Sequence, residues 1–378
     1  MAWLNFKFWR KGSKTLPVRQ VKPKSRRSDV ILVSSTILLS LFGLLMVYNS
    51  SVAIALRDFA DPYHFVRDQG RWLVFGLLIF SLAARLDYRL WYKLALPLLG
   101  LSLILLVLVF IPGLGLRALG AHRWLNFRFL VVQPAELAKL TLLIYLSAWL
   151  AFPEKSRLGT FLLLVMMVVG LVVAEPDLGT GVIILASALI LYFLSGAPLK
   201  NFLVLLPLVV GSLIILAVVS PYRLSRLTAF FNPEKDPLGS SYQIRQATLA
   251  LGSGGWWGIG IGKSRQKYEY LPEANTDSIF AIIGEEYGFI GATVLILGYL
   301  LVIWRGFRIG IRAPDRFGNL LAWGISAWLA VQFGINIAAN VALIPLTGVP
   351  LPLISYGGSN LVVILAALGI LANISKQR

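Results

Sequence analysis

Asp277 stands where a polar stretch, Leu271–Thr276, gives way to a long apolar run that begins at Ser278. A carboxylate at a boundary between water and lipid can take a proton from, or hold a cation beside, a substrate whose tail stays in the lipid. Asn275 and Thr276 are good helix-capping residues, which puts Asp277 in the first turn of the helix that follows. Two influences then oppose each other. The helix dipole favours the ionised form, whereas burial raises the pKa and makes a stronger base. The sequence leaves that contest open.

Cations lie close by in the chain. Lys263, Arg265 and Lys267 alternate with other residues. In an extended segment they would share one side, suiting either a pyrophosphate or a patch of lipid headgroups. GIGIGKS, residues 258–264, looks like a phosphate loop, but Trp257 stands where a Walker A motif needs its first glycine. A dinucleotide fingerprint fails as well, because Lys263 holds its third glycine position. No nucleotide is expected. Six glycines between Gly252 and Gly262 give a backbone able to turn tightly near a ligand. Arg123, in His122-Arg123-Trp124, could clamp a phosphate bidentately.

Other ionisable residues sit within or beside apolar runs. Glu136 and Lys139 are three apart, on one helix face, where they either pair inside the protein or turn toward a substrate. Pro134 suits the first position of that helix. Glu175 closes one apolar run, and Asp177 opens the next, where it complements the helix dipole. Glu285 and Glu286 lie further along the helix after Asp277 and read as internal partners for Lys or Arg. The turn Tyr356-Gly357-Gly358-Ser359, with Ser355 just before it, either helps to close a site or only breaks the helix entrance.

These residues need a membrane scaffold. Of 378 residues, 57% are hydrophobic and 14% charged, well below the usual share for a soluble domain. There is no cysteine, so disulfides, thiolate metal sites and thiol nucleophiles are excluded. Candidate runs for crossing a bilayer are Val30–Tyr48, Trp72–Ala84 with its flanks, Leu94–Ile111, Ala135–Phe152, Thr160–Val173, Gly179–Leu194, Phe202–Val219, Ser278–Trp304, Leu320–Ala339 and Leu351–Ile374, of which the second and fifth are short. The expected fold is an all-α polytopic membrane protein with about ten transmembrane helices, both termini cytoplasmic, and a large extracellular loop, residues 220–276, between helices 7 and 8. Orientation follows from charge. Inner loops carry Arg85, Arg89, Lys93, Lys155, Arg157, Lys200, Arg305, Arg308, Arg312, Arg316, Lys376 and Arg378. Most acids fall outside: Asp58, Asp61, Asp68, Glu175, Asp177, Glu234, Asp236, Glu269 and Glu273. The net charge of +18 suits anionic headgroups better than nucleic acid. Residues 1–28, with nine Lys/Arg and no acid, read as a disordered cytoplasmic arm, followed by a membrane domain over 29–374 and a short cytoplasmic C-terminus, 375–378. Within the loop, Tyr242–Leu251 could form a short amphipathic helix on the membrane surface.

Seven co-linear motifs carry a resemblance: HRWLNF (122–127), QPAELAKL (133–140), EPDLGT (175–180), GSGGWWGIGIGKSRQK (252–267), LPEANTD (271–277), GEEYGFIG (284–291) and PLPLISYGGSN (350–360). Over roughly residues 30–373 the chain resembles the SEDS family (shape, elongation, division and sporulation), which includes FtsW and RodA, with wording closer to the FtsW branch. The resemblance implies a peptidoglycan glycosyltransferase in the bacterial plasma membrane, acting in division or cell-shape maintenance. Its substrate would be lipid II, an undecaprenyl-pyrophosphate-linked disaccharide-pentapeptide, polymerised at the outer face. It also implies a class B penicillin-binding protein as transpeptidase partner, further division or elongation membrane proteins as associates, a divalent cation (Mg or Mn) and no nucleotide. The family's essential aspartate falls on Asp277. Two departures stand out: Asn275 where the family usually has His, and Ser278 where it usually has Phe.

The expected chemistry is inverting glycosyl transfer with Asp277 as general base. Arg123, Lys263, Arg265 and Lys267 would stabilise the leaving pyrophosphate. Glu136, Lys139, Glu175, Asp177, Glu286, Ser355 and Ser359 would shape the cavity. A metal ligand is not identified, though Asp277 could serve as one. Two other readings compete: a lipid II flippase, and a scaffold without catalysis that recruits its transpeptidase. An O-antigen-ligase-like enzyme shares the architecture, but the LPEANTD and SYGGSN wording argues against it.

Overall fold

The computed structural model describes residues 28–118, 121–126, 131–152, 158–219, 221–232, 239, 241–268 and 270–377. Residues 1–27 of the basic arm, together with Lys155, Arg157, Glu234, Asp236, Glu269 and Arg378, lie outside them. Among the described residues the chain forms twelve helices and one small sheet. In order these are α1 (Val30–Phe59), α2 (His64–Arg85), α3 (Arg89–Leu108), β1 (Gly115–Ala118), β2 (Ala121–Asn126), β3 (Val131–Val132), α4 (Pro134–Leu150), α5 (Leu158–Ala174), α6 (Leu178–Leu194), α7 (Lys200–Val219), α8 (Pro221–Phe231), α9 (Tyr242–Ser253), α10 (Ile279–Ile311), α11 (Arg316–Asn340) and α12 (Gly358–Lys376).

Each apolar run falls on one long helix. Five helices, α1, α3, α10, α11 and α12, are long and apolar enough by themselves to cross a membrane, and α5 and α6 are shorter apolar helices of 17 residues each. The chain is a multi-pass membrane protein. Helix starts follow local chemistry. Asp29, Asp177 and Asp315 cap α1, α6 and α11 by accepting from the N–H groups of Leu32, Thr180 and Gly318. Pro134 opens α4.

The last run is corrected. α12 begins at Gly358 rather than Leu351. Pro350 and Pro352 remove helical N–H donors, and Leu353 has φ of 65°. Residues 341–357 instead form a connecting segment that is buried over Leu351–Ser355. The all-α expectation is also corrected, because β1, β2 and β3 form an antiparallel sheet in that order. Leu125 faces inward while Asn126 is exposed, the alternation of a strand too short to register in the sequence.

The most extensive helix contact is between α2 and α12. Small residues permit it: a Cβ at Gly369 would stand 2.6 Å from Phe80 O, and Gly358 lies against the ring of Trp72. At the end of the bundle away from Asp277, Tyr88 bonds to Asp315, Arg305 pairs with Asp29, and Lys376 donates to Ala84 O at 2.8 Å. The basic residues Arg85, Arg89, Arg312 and Arg316 gather at that same end, at the termini of α2, α3, α10 and α11.

Candidate active site

The glycine-rich loop grips a kink in α10. Gly288, inside that helix, has φ of 66° and ψ of −168°, which interrupts the helical bonds around it. Loop groups take up the freed positions. Ile259 N donates to Glu285 O at 3.0 Å and Gly260 N to Glu286 O at 3.2 Å. Phe289 N and Ile290 N donate to Gly255 O and Trp256 O at 2.8 and 3.2 Å. Gly258 and Gly288 meet main chain to main chain; a Cβ at Gly288 would stand 2.3 Å from Gly258 N.

What looked like a phosphate loop binds carboxylates of its own chain. Glu286 accepts from Gly262 N at 3.0 Å, Ser264 N at 3.2 Å and Lys267 Nζ at 3.2 Å, and Asn49 donates to it as well. Glu285 accepts from Arg265 N at 3.2 Å and from the Ser264 hydroxyl. The expected internal cation partner is found for Glu286, in Lys267, whereas Glu285 is held by the Ser264 hydroxyl and the Arg265 main chain instead of a Lys or Arg side chain. The expected row of three cations does not form. The segment runs through turns rather than a strand, so Lys267 is buried at 6% exposure while Lys263 and Arg265 stay exposed.

That loop leads directly to Asp277. Ser278, not Asn275 or Thr276, is the N-cap residue of α10, so Asp277 sits one position before the cap rather than in the first turn. Its main chain is fixed from several sides. Asn336 and Asn340 of α11 donate to Asp277 O at 2.8 and 2.9 Å. Ser355 donates to Thr276 O, and Tyr356 N to Asn275 O at 2.8 Å. Tyr356 and Gly357 are held in turn by Asp68 and Gln69 of α2.

The Asp277 side chain is half-buried. Gln243 of α9 donates to its Oδ1 at 3.4 Å and to Ser278 Oγ at 3.0 Å. Burial pushes the carboxyl up to about 7, and the Glu273 carboxylate adds to the rise. The Arg226 guanidinium, a backbone bond and Gln243 oppose it. Burial thus wins the contest with the helix end. Arg226, on α8, donates to Leu346 O at 3.0 Å. A Cβ at Gly348 would stand 4.0 Å from both Arg226 Nη1 and Asp277 Oδ2.

A second cluster surrounds the start of α6. Glu175 is fully buried, and neither carboxylate oxygen has a hydrogen-bond partner among the described residues. Burial, then the Asp177 charge, push it up to about 8 against the pull of Arg123. Arg123 Nε donates to Glu175 O at 3.2 Å and another of its nitrogens to Pro176 O, so this guanidinium binds carbonyls rather than the carboxylate. Asp177 caps α6 and accepts from Gln133 Nε2 at 3.1 Å, while Gln133 N donates to Ser359 Oγ at 3.1 Å. Deeper in the bundle, Lys139 reaches Glu136 at 2.9 Å as the spacing allows, and Asn360 donates to Glu136 at 2.7 Å.

The family model for the cell cycle proteins FtsW, RodA and SpoVE matches residues 29–378. The chain belongs to the FtsW/RodA/SpoVE family. Among its relatives, a protein of Thioalkalivibrio sulfidiphilus named probable peptidoglycan glycosyltransferase FtsW is 40% identical, over 93% of this chain and 90% of that protein. Stage V sporulation protein E of Bacillus subtilis is 38% identical, over 93% of this chain and 98% of its own length. Among solved structures, a chain from work on structural coordination of polymerization and crosslinking by a peptidoglycan synthase complex superposes with TM-score 0.76 and 32% identity. The match covers 93% of this chain and 98% of that one. The Thermus thermophilus rod shape determining protein RodA matches with TM-score 0.69 and 30% identity, over 93% and 97% of the two chains.

In this family member, several residues around Asp277 went unnoticed in the sequence. Arg226 and Gln243 lie on α8 and α9, inside the long loop, with no spacing that ties them to Asp277. Gln332, Asn336 and Asn340 had a readable signal: three amides at four-residue intervals in an apolar run, all on one helix face.

Proposed function

We propose that this chain is a peptidoglycan glycosyltransferase that polymerises lipid II at the outer face of the bacterial plasma membrane. The observation that carries the reading is Asp277. Its carboxyl is raised toward neutrality, its main chain is clamped by α11 and the 341–357 segment, and it opens a membrane helix in a family whose relatives carry that enzymatic name. A base works best when its pKa lies near the working pH.

In this mechanism Asp277 takes the proton from the GlcNAc 4-hydroxyl of the acceptor. The oxygen attacks MurNAc C1 of the donor, the C1–phosphate bond breaks, and undecaprenyl pyrophosphate leaves with inversion at C1. Lys263 and Arg265, both exposed, meet the leaving pyrophosphate. Arg123 has donors left beyond its two carbonyl bonds. Arg226 adds positive charge beside Asp277. Lys267 does not take part, being committed to Glu286. Among the described residues no group of three or more His, Asp or Glu could hold a metal. A divalent cation would arrive with the substrate's phosphates, and no step is derived through it.

Orientation follows from the basic end of the bundle, formed by Arg85, Arg89, Arg305, Arg308, Arg312, Arg316 and Lys376. Set in the cytoplasm, with ten helices crossing and both termini inside, it turns Asp277 outward and leaves the basic arm against anionic headgroups. The transpeptidase partner is a class B penicillin-binding protein. The likeness to a chain of a peptidoglycan synthase complex supports this pairing. Purified protein given lipid II should yield glycan strands. Transbilayer movement of lipid II in vesicles without polymer would favour a flippase instead.

A further inference from the structure

One face of α11 carries an amide ladder aimed at main-chain carbonyls. Asn336 Nδ2 donates to Asp277 O and to Val349 O, each at 2.8 Å. One turn on, Asn340 Nδ2 donates to Asp277 O at 2.9 Å and to Asn336 O at 3.0 Å. One turn back, Gln332 Nε2 donates to Pro350 O at 3.0 Å. All three side chains are buried. Gln332 Oε1 accepts from Lys139 Nζ at 3.0 Å and from Trp328 Nε1 at 2.9 Å. Lys139 is paired with Glu136. Gln332 thus ties the Glu136–Lys139 pair to Pro350 O, Asn336 ties the adjacent Val349 O to Asp277 O, and the two links meet in the Val349–Pro350 main chain.

Buried amides are costly unless bonded, and leucine would pack an apolar helix without that cost. Here two of the three amides converge on one carbonyl. A carbonyl oxygen has two lone pairs, and Asp277 O receives one donor from each asparagine. Fixing that carbonyl fixes the peptide plane from which the carboxyl departs. A base must sit within hydrogen-bond reach of the proton it takes, and a displacement of about 1 Å can cost roughly a hundredfold in rate.

We propose that Asn336 and Asn340 are positioning residues that hold the main chain of Asp277, and that Gln332 extends this hold to the Glu136–Lys139 pair. The proposal rests on the reading of Asp277 as the general base.

The test uses the purified full chain in lipid nanodiscs with lipid II as substrate, comparing wild type, Asn340→Leu, Asn336→Leu and Asp277→Asn. Asn340→Leu is the primary variant, since it leaves Asn336 bonded to the same oxygen. It should lower kcat about tenfold, the loss expected for one main-chain hydrogen bond, while the lipid II KM changes little. Asn336→Leu should lose more, and Asn340→Gln, which keeps a donor, should recover part of the rate. Wild-type kcat in both leucine variants, or a loss confined to KM, overturns the proposal. So does failure of both to give a monodisperse, cooperatively melting protein, which would make the ladder a folding element only. An Asp277→Asn protein that still polymerises at the wild-type rate would instead sink the reading beneath it. An inactive Asp277→Asn protein beside leucine variants with wild-type kcat sinks the inference alone.

Discussion

Lys267 donates to the Glu286 carboxylate at 3.2 Å, and this ion pair closes the glycine-rich loop onto the kink of α10. Both partners are buried, and Asn49 of α1 bonds to each of them. Removing one partner leaves the other charged and uncompensated. Lys267→Met should destabilise the protein by about 3–5 kcal/mol, read as thermal unfolding in detergent. The double variant Lys267→Met/Glu286→Gln should recover part of that loss. A single variant that melts like wild type would mean the pair does not hold the loop.

Lys263 differs from Lys267 although the sequence sets them four apart. It is exposed, with its side chain lying along Gly260. Lys263→Ala should raise the lipid II KM more than it lowers kcat, because a flexible surface cation contributes mainly to capturing the pyrophosphate. An unchanged KM would assign Lys263 to lipid headgroups.

The raised carboxyl of Asp277 sets a pH dependence. The base acts deprotonated, so the rate at saturating lipid II should climb as pH rises through about 7 and level off above it. An unperturbed aspartate would place that limb near about 4. A flat profile between these values would show that Asp277 is not the group titrating.

Glu175 predicts an effect on stability rather than rate. Its carboxyl keeps its proton up to about 8 in the folded chain, against an ordinary value of 4.5. Between those values the native state binds one more proton than the unfolded state, so stability falls as pH rises. Glu175→Gln removes that slope. The variant should melt like wild type at about pH 4 and progressively above it as pH rises to about 8. Identical slopes would mean that Glu175 is ionised in the folded protein.

The helices were legible because apolar runs of membrane length have few alternative structures. Pro134, Asp177 and the Glu136–Lys139 spacing behaved as local rules require. The start of α12 was misplaced because an apolar, buried connecting segment has the composition of a helix. Only its prolines and the left-handed Leu353 reveal that it is not one. The fate of Lys267 could not be read either. Which cation of three turns inward depends on the kink at Gly288, and only the folded loop shows that. Asp277 itself was found from its place at a polar–apolar junction. Its neighbours Arg226, Gln243, Asn336 and Asn340 come from three separate helices, brought together by tertiary packing.

The central claim is that the Asp277 carboxylate removes the acceptor proton. The most direct measurement is the glycan product formed from lipid II by purified wild type and by Asp277→Asn at matched protein levels. Loss of general base catalysis should lower polymerisation by roughly 10²–10⁴-fold, with elution and melting of the variant unchanged. Polymer of wild-type length at a rate near wild type, from a folded Asp277→Asn protein, would contradict the account.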